Sequence, residues 1–90
     1  MKIIKRDGSK KNFNSEKITI AIMKAGLDPD NAREVAVSVE AFVKDFFGAR
    51  KEVDIETVQD LVEKALMKRG YADIAKKYIL YRQHRAELRT

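Results

Sequence analysis

The sequence predicts the α+β class, mostly helical: a four-helix bundle capped by a small N-terminal β-hairpin or three-stranded sheet. Three observations lead there. Residues 1–13 hold two short β-compatible runs around Asp7-Gly8. Four later segments carry apolar residues at the three- and four-residue spacing of one helix face. Each of the four has residues at its ends that favour starting or stopping a helix. The 90 residues read as one domain, 1–90, because chains divide into several domains only well above this length.

The hairpin comes first. Lys2-Ile3-Ile4-Lys5 and Lys10-Lys11-Asn12-Phe13 flank Arg6-Asp7-Gly8-Ser9, and Asp-Gly is a preferred two-residue type I′ turn, with positive φ at both central residues. Alternation places Ile3 and Lys5 on one face and Ile4 on the other. A lone hairpin is marginal, so it must pack on the rest of the chain. Asn14 or Ser15 caps the first helix, with Ile18, Ala21, Ile22 and Ala25 as its stripe and Gly26 as its stop. Asp28-Pro29-Asp30 starts the second. Val35, Val39, Phe42, Val43 and Phe46 are its expected inward face, ending near Gly48. Val53 can add a short strand. Asp54 then caps a third helix, whose Val58, Leu61, Val62, Ala65 and Leu66 point inward and which Lys68, Arg69 and Gly70 close. The fourth helix, about Asp73 to Leu88, sets Ile74, Tyr78 and Tyr81 on one side and several cations on the other.

Charge is distributed in blocks. Residues 1–24 carry seven Lys/Arg against Asp7 and Glu16; residues 25–60 carry four against nine acids; residues 61–90 carry eight against three. The blocks are +5, −5 and +5, so the net +5 belongs to the two ends of the chain. If the ends meet they form a basic surface suited to an anionic ligand.

Several chemistries are excluded. The sequence has no Cys, which removes disulfides, thiolate metal sites and a thiol nucleophile. His84 is the single histidine, too few ligands for most His-based metal sites. No uncharged stretch comes near the length of a membrane span and no signal-peptide apolar segment follows Met1, so the expected location is cytoplasmic. Gly-x-x-x-x-Gly-Lys and Gly-x-Gly-x-x-Gly motifs are missing. Asp54, Glu56, Asp60 and Glu63 read as capping and solvated-face acids rather than a catalytic dyad. No enzyme activity is expected. Lys5 and Arg6 beside the tight turn, and Lys17 in the first turn of a helix where the dipole disfavours a cation, are the better lead to an anion site. A Lys-rich edge hairpin protected against aggregation is the bland alternative. Tyr78 and Tyr81 read as core-facing aromatics with polar tips.

Three stretches together resemble the ATP-cone domain. They are Ile3-Ile4-Lys5-Arg6-Asp7-Gly8 with Phe13-Asn14-Ser15-Glu16-Lys17-Ile18; Val53-x-x-x-x-Val58-Gln59-Asp60-x-Val62-Glu63; and Ala75-x-x-Tyr78-Ile79-x-Tyr81-Arg82-x-x-Arg85. They span nearly the whole chain. The resemblance implies four helices with a three-stranded sheet, and an allosteric regulatory module for ATP or dATP, with Mg²⁺ accompanying the nucleotide. Such modules occur on ribonucleotide reductases and in the repressor of their genes, where the nucleotide changes oligomeric packing. By the same resemblance Lys5 and Arg6 meet the phosphates, and Asn14 and Lys17 the base and sugar region. Ile3, Ile18 and Val58 then form the adenine pocket, and His84 or Arg85 closes over the phosphates. Two positions depart from the pattern. Lys11 stands where some members carry an acid against the adenine amino group, and Ile55 where some carry a hydroxyl. The expectation is a regulatory domain without catalysis, either excised from a reductase or repressor or free-standing, that forms homo-oligomers or acts on an attached or separate partner. Two other classes stay open: a small basic nucleic-acid-binding transcription-regulator module using the last helix, and a simple dimerisation bundle.

Overall fold

A computed structural model describes residues 2–48 and 52–88, the side chains of 83–88 excepted. The elements run β1 (Lys2–Ile4), β2 (Lys10–Asn12), α1 (Ser15–Lys24), α2 (Pro29–Phe47), β3 (Glu52–Asp54), α3 (Ile55–Lys68) and α4 (Ala72–Leu88). The predicted class holds, and the three-stranded form of the cap is the one present. The strand order is β2-β1-β3. β1 pairs antiparallel with β2 and parallel with β3, aligning Ile3 with Lys11 on one side and with Val53 on the other. Directly opposed residues share a face, so the buried Ile3 and Val53 lie in one row with Lys11.

The hairpin turn differs from the expected two-residue I′ form. Gly8 is the only residue of the turn at positive φ, +86°, and no non-glycine among the described residues has one. The Gly8 N–H donates to the Lys5 carbonyl at 2.9 Å and the Lys5 N–H to the Ser9 carbonyl at 2.8 Å. This closes a longer loop of the kind that ends on a left-handed glycine. The Asp7 carboxylate accepts from both the Ser9 N–H (2.9 Å) and the Ser9 hydroxyl (2.6 Å), which ties the turn locally.

The helix starts are those the sequence signals. Asn14 accepts from the Glu16 N–H at 2.9 Å, Asp28 from the Asn31 N–H at 3.1 Å and Asp54 from the Thr57 N–H at 3.1 Å. Hydrogen bonds from Asn31 and Thr57 hold the Asp28 and Asp54 carboxyls below the usual carboxylate range. α1 and α3 end alike. Gly26 and Gly70 sit at φ +113° and +83°, and the N–H groups of Leu27 and Tyr71 return to Ile22 and Leu66, satisfying carbonyls the helix leaves open.

Ile22, Val35, Val43, Val62 and Leu66 are fully buried at the centre. Each such side chain contributes about 1.5–3 kcal/mol by leaving water. Leu61, Ala65 and Ile74 pack partly buried around them. The inner face of α2 is a correction. Val35, Val39 and Val43 are inward as expected, joined by Ala32 and Ala36, whereas Phe42 and Phe46 are 48% and 70% exposed. The two phenylalanines immediately precede Val43 and Phe47, and one residue turns a helix by about 100°. They stack on each other instead (5.5 Å between centroids), with Phe47 edge-on to Phe46.

Candidate functional site

An open cleft of about 480 Å³ lies between the hairpin and helices α1, α3 and α4. Each helix lines it with residues three or four apart, the spacing of one face. α1 supplies Lys17, Ile20, Ala21 and Lys24; α3 supplies Ile55 and Gln59; α4 supplies Tyr78, Tyr81 and Arg82. Lys5, Arg6 and Lys11 come from the hairpin. Among the described residues the lining thus holds six cations and no carboxylate.

The cations differ in how they are held. Arg6 Nε lies 3.5 Å from Glu56 at the rim, with both side chains well exposed, a pair worth at most about 1 kcal/mol. The Lys24 ammonium sits 5.7 Å from the Tyr81 ring centroid, within cation–π range. Arg82 is largely enclosed, its side chain 15% exposed, and it spans from α4 to Asp60 (3.3 Å) and Glu63 on α3. Burial pushes the Tyr78 phenol up to about 12, against a smaller opposing effect of Arg82, so the hydroxyl keeps its proton at neutral pH. Gln59 Oε1 is buried without a hydrogen-bond partner among the described residues. A buried acceptor left so costs roughly 1–3 kcal/mol.

The cleft is thus a concave, cation-lined site with an apolar wall. The sequence matches the ATP cone domain over residues 1–87. The chain belongs to the ATP cone family. It is 40% identical to the ribonucleoside-diphosphate reductase subunit alpha of Chlamydia pneumoniae, over 98% of this chain and 10% of that protein. It is 38% identical to the vitamin B12-dependent ribonucleoside-diphosphate reductase of Thermoplasma acidophilum, over 97% and 12%. It is 39% identical to the anaerobic ribonucleoside-triphosphate reductase of Escherichia coli, over 92% and 12%. The cone therefore spans about a tenth of the length of these relatives.

The residues singled out in the sequence fall into three groups. Lys5, Arg6 and Lys17 converge on the cleft. Ile3 and Val58 are instead 7% and 3% exposed in the core, and Ile18 packs partly buried against it. They lie behind the lining, whose apolar wall is Ile20, Ala21, Ile55 and the tyrosines. The Asn14 side-chain oxygen is engaged in the α1 cap. His84 and Arg85 are on α4, but their side chains lie outside the described residues. Sequence reasoning passes over Lys24 and Arg82 as site residues, although both carry a helical signal: Lys24 follows Lys17 by seven residues, and Arg82 follows Tyr78 by four. Tyr78 and Tyr81 are expected inside. Tyr78 is buried and Tyr81 half-buried, and both also face the cleft.

The described residues contain no group of three or more His, Cys, Asp or Glu side chains placed to hold a metal ion, and none of their helices is long and apolar enough to cross a membrane.

Proposed function

We propose that this cone binds an adenine nucleoside triphosphate, ATP or dATP, in the cationic cleft and acts as an allosteric module without catalysis of its own. One observation carries the reading: among the described residues six cations line a single concavity with no carboxylate beside them. A triphosphate is the anion whose charge density suits that lining. Arg6 presents a planar fork for bidentate phosphate contact, and Lys5, Lys11 and Lys17 act as mobile point charges. Arg82, already neutralised by Asp60 and Glu63, positions the α3–α4 wall. Ile20, Ala21 and Ile55 form an apolar seat for the base, with Ile3, Ile18 and Val58 packed behind it and Asn14 fixing the start of α1. A Mg²⁺ ion arriving with the nucleotide would take most of its ligands from phosphate oxygens and water.

The regulated partner is a ribonucleotide reductase or repressor domain, attached or separate, and the relatives support the reductase. Calorimetric titration with ATP, dATP and, as control, GTP tests the binding. Saturable heat with the adenine nucleotides is expected; no heat and no thermal shift at millimolar nucleotide would falsify it. Sedimentation with and without nucleotide tests the switch, because only a module coupled to assembly changes mass on ligand addition.

A further inference from the structure

We infer that Tyr81 is the stacking surface for the nucleotide's base, and that Lys24, which lies over its ring, is a movable lid on that surface. The inference rests on the nucleotide reading of the cleft and adds where the base is held.

Both side chains belong to the cleft and both are reachable from it. Tyr81 and Lys24 are part of the lining, Tyr81 half-buried and Lys24 exposed. The Lys24 ammonium stands 5.7 Å from the Tyr81 ring centroid. Cation–π contact reaches out to about 6 Å, so the ammonium rests loosely on the ring. A ring face that an exposed lysine reaches from α1 is not packed into the core. Tyr78, one turn earlier on α4, is the contrast: it is buried and belongs to the core cluster. Ile20 and Ala21 line the cleft one turn before Lys24 on α1. The apolar seat and the Tyr81 ring therefore adjoin, and a base seated on Ile20 and Ala21 has the ring beside it.

Magnitudes decide which partner keeps the ring. An exposed cation–π contact is worth about 2- to 5-fold in an equilibrium constant, whereas a base stacked on an aromatic side chain is worth about 5- to 150-fold. The base therefore displaces the ammonium. Lys24 yields at little cost, because its stem is flexible and its head is solvated. Its charge stays in the lining and adds to the field acting on the phosphates. Stacking accepts every base, since each has a π-face. Tyr81 thus supplies affinity for a nucleoside and leaves the choice among bases to other groups.

The test measures ATP and inorganic tripolyphosphate by calorimetry on the whole chain, for the wild type, Tyr81→Phe and Tyr81→Leu. NMR follows the Tyr81 ring protons and the Lys24 ε-methylene of the wild type. Tyr81→Leu is expected to weaken ATP binding by about 5- to 150-fold, the worth of one stacked base, and to leave tripolyphosphate unchanged. Tyr81→Phe, which keeps the ring, is expected to bind both as the wild type does. ATP is expected to move the Tyr81 ring protons upfield, as a stacked base requires, and to carry the Lys24 ε-methylene out of the ring current of Tyr81. A Tyr81→Leu variant that folds and keeps its ATP affinity, or that loses ATP and tripolyphosphate alike, overturns the assignment of Tyr81 while leaving the nucleotide site intact. Should that variant fail to fold, the wild-type spectra still decide. Tyr81 resonances that ATP leaves in place, or that tripolyphosphate moves equally, overturn the stacking, and a Lys24 ε-methylene that stays on the ring overturns the lid. Equal wild-type affinity for tripolyphosphate and ATP, or no binding of either, overturns the nucleotide reading and this inference with it.

Discussion

Two depressions of nearly equal volume, about 480 and 490 Å³, lie on this small domain, and they differ in almost everything else. The first is the cleft. The second is a shallower groove between α2 and the end of α3, lined by Asp30, Arg33, Glu34, Val37, Ser38 and Arg69. There two acids balance two cations, and Arg69 is already engaged: it donates to the Ser38 hydroxyl at 2.6 Å and lies 3.9 Å from Glu34. In the cleft the acids stand outside the lining and the cations converge inside it. Volume does not distinguish the two; charge does, since among the described residues cations alone supply the charged lining of the cleft, whereas acids and cations balance in that of the groove.

The largest expected effect abolishes both. Leu66→Ala removes a fully buried side chain from the helix that borders cleft and groove, and should cost about 2–5 kcal/mol in denaturant unfolding. A loss below about 1 kcal/mol would mean that the centre repacks easily. The next separates the two regions. Lys5→Ala or Arg6→Ala should weaken ATP binding by about 1.5–3 kcal/mol, the worth of a hydrogen bond to a charged group, whereas Arg69→Ala should leave it unchanged. Equal losses from all three would break the contrast, because they would report a diffuse electrostatic field rather than a built site. Asp54→Ala removes the cap of the helix that carries Ile55 and Gln59, and should cost about 1 kcal/mol of stability. In the wild type the same cap depends on pH. The Asp54 carboxyl lies below its ordinary value of 3.8, so its contribution is complete above that pH and fades as pH falls through the lowered folded value. An acid titration of the thermal midpoint in wild type and Asp54→Ala should show the difference between the two shrinking below pH 3.8. Smallest is Arg69→Ala on stability, within about 0.5 kcal/mol, as for most exposed positions.

The same contrast shows what the sequence made legible. Helix starts at Asn14, Asp28 and Asp54 and stops at Gly26 and Gly70 are readable because capping is local chemistry, written within four residues. The cleft cations Lys5, Arg6 and Lys17 are readable because a cation in a tight turn or a first helical turn is locally out of place. Phe42 and Phe46 mislead: hydrophobicity and spacing fit the stripe, but which of two adjacent apolar positions faces inward depends on the partner helix. The lower half of the cleft is hidden for the same reason. Gln59 reads in the sequence as an ordinary polar residue of an amphipathic helix, and only the folded chain places it in the cleft lining. Ile3 and Val58, expected against the ligand, are instead taken up by the sheet and the bundle centre.

The parallel ladder between β1 and β3 joins residues fifty positions apart, Ile3 with Val53, and it is also what holds Lys5 and Arg6 over α3. Closing so long a loop is entropically costly and comes after local helix formation. A chain with its helices formed but this ladder open lacks the hairpin side of the cleft. A nucleotide that binds only the closed form stabilises it by mass action, about 2.7 kcal/mol at a hundred times its dissociation constant. Amide exchange along β1 should slow on ligand addition more than exchange along the middle of α2.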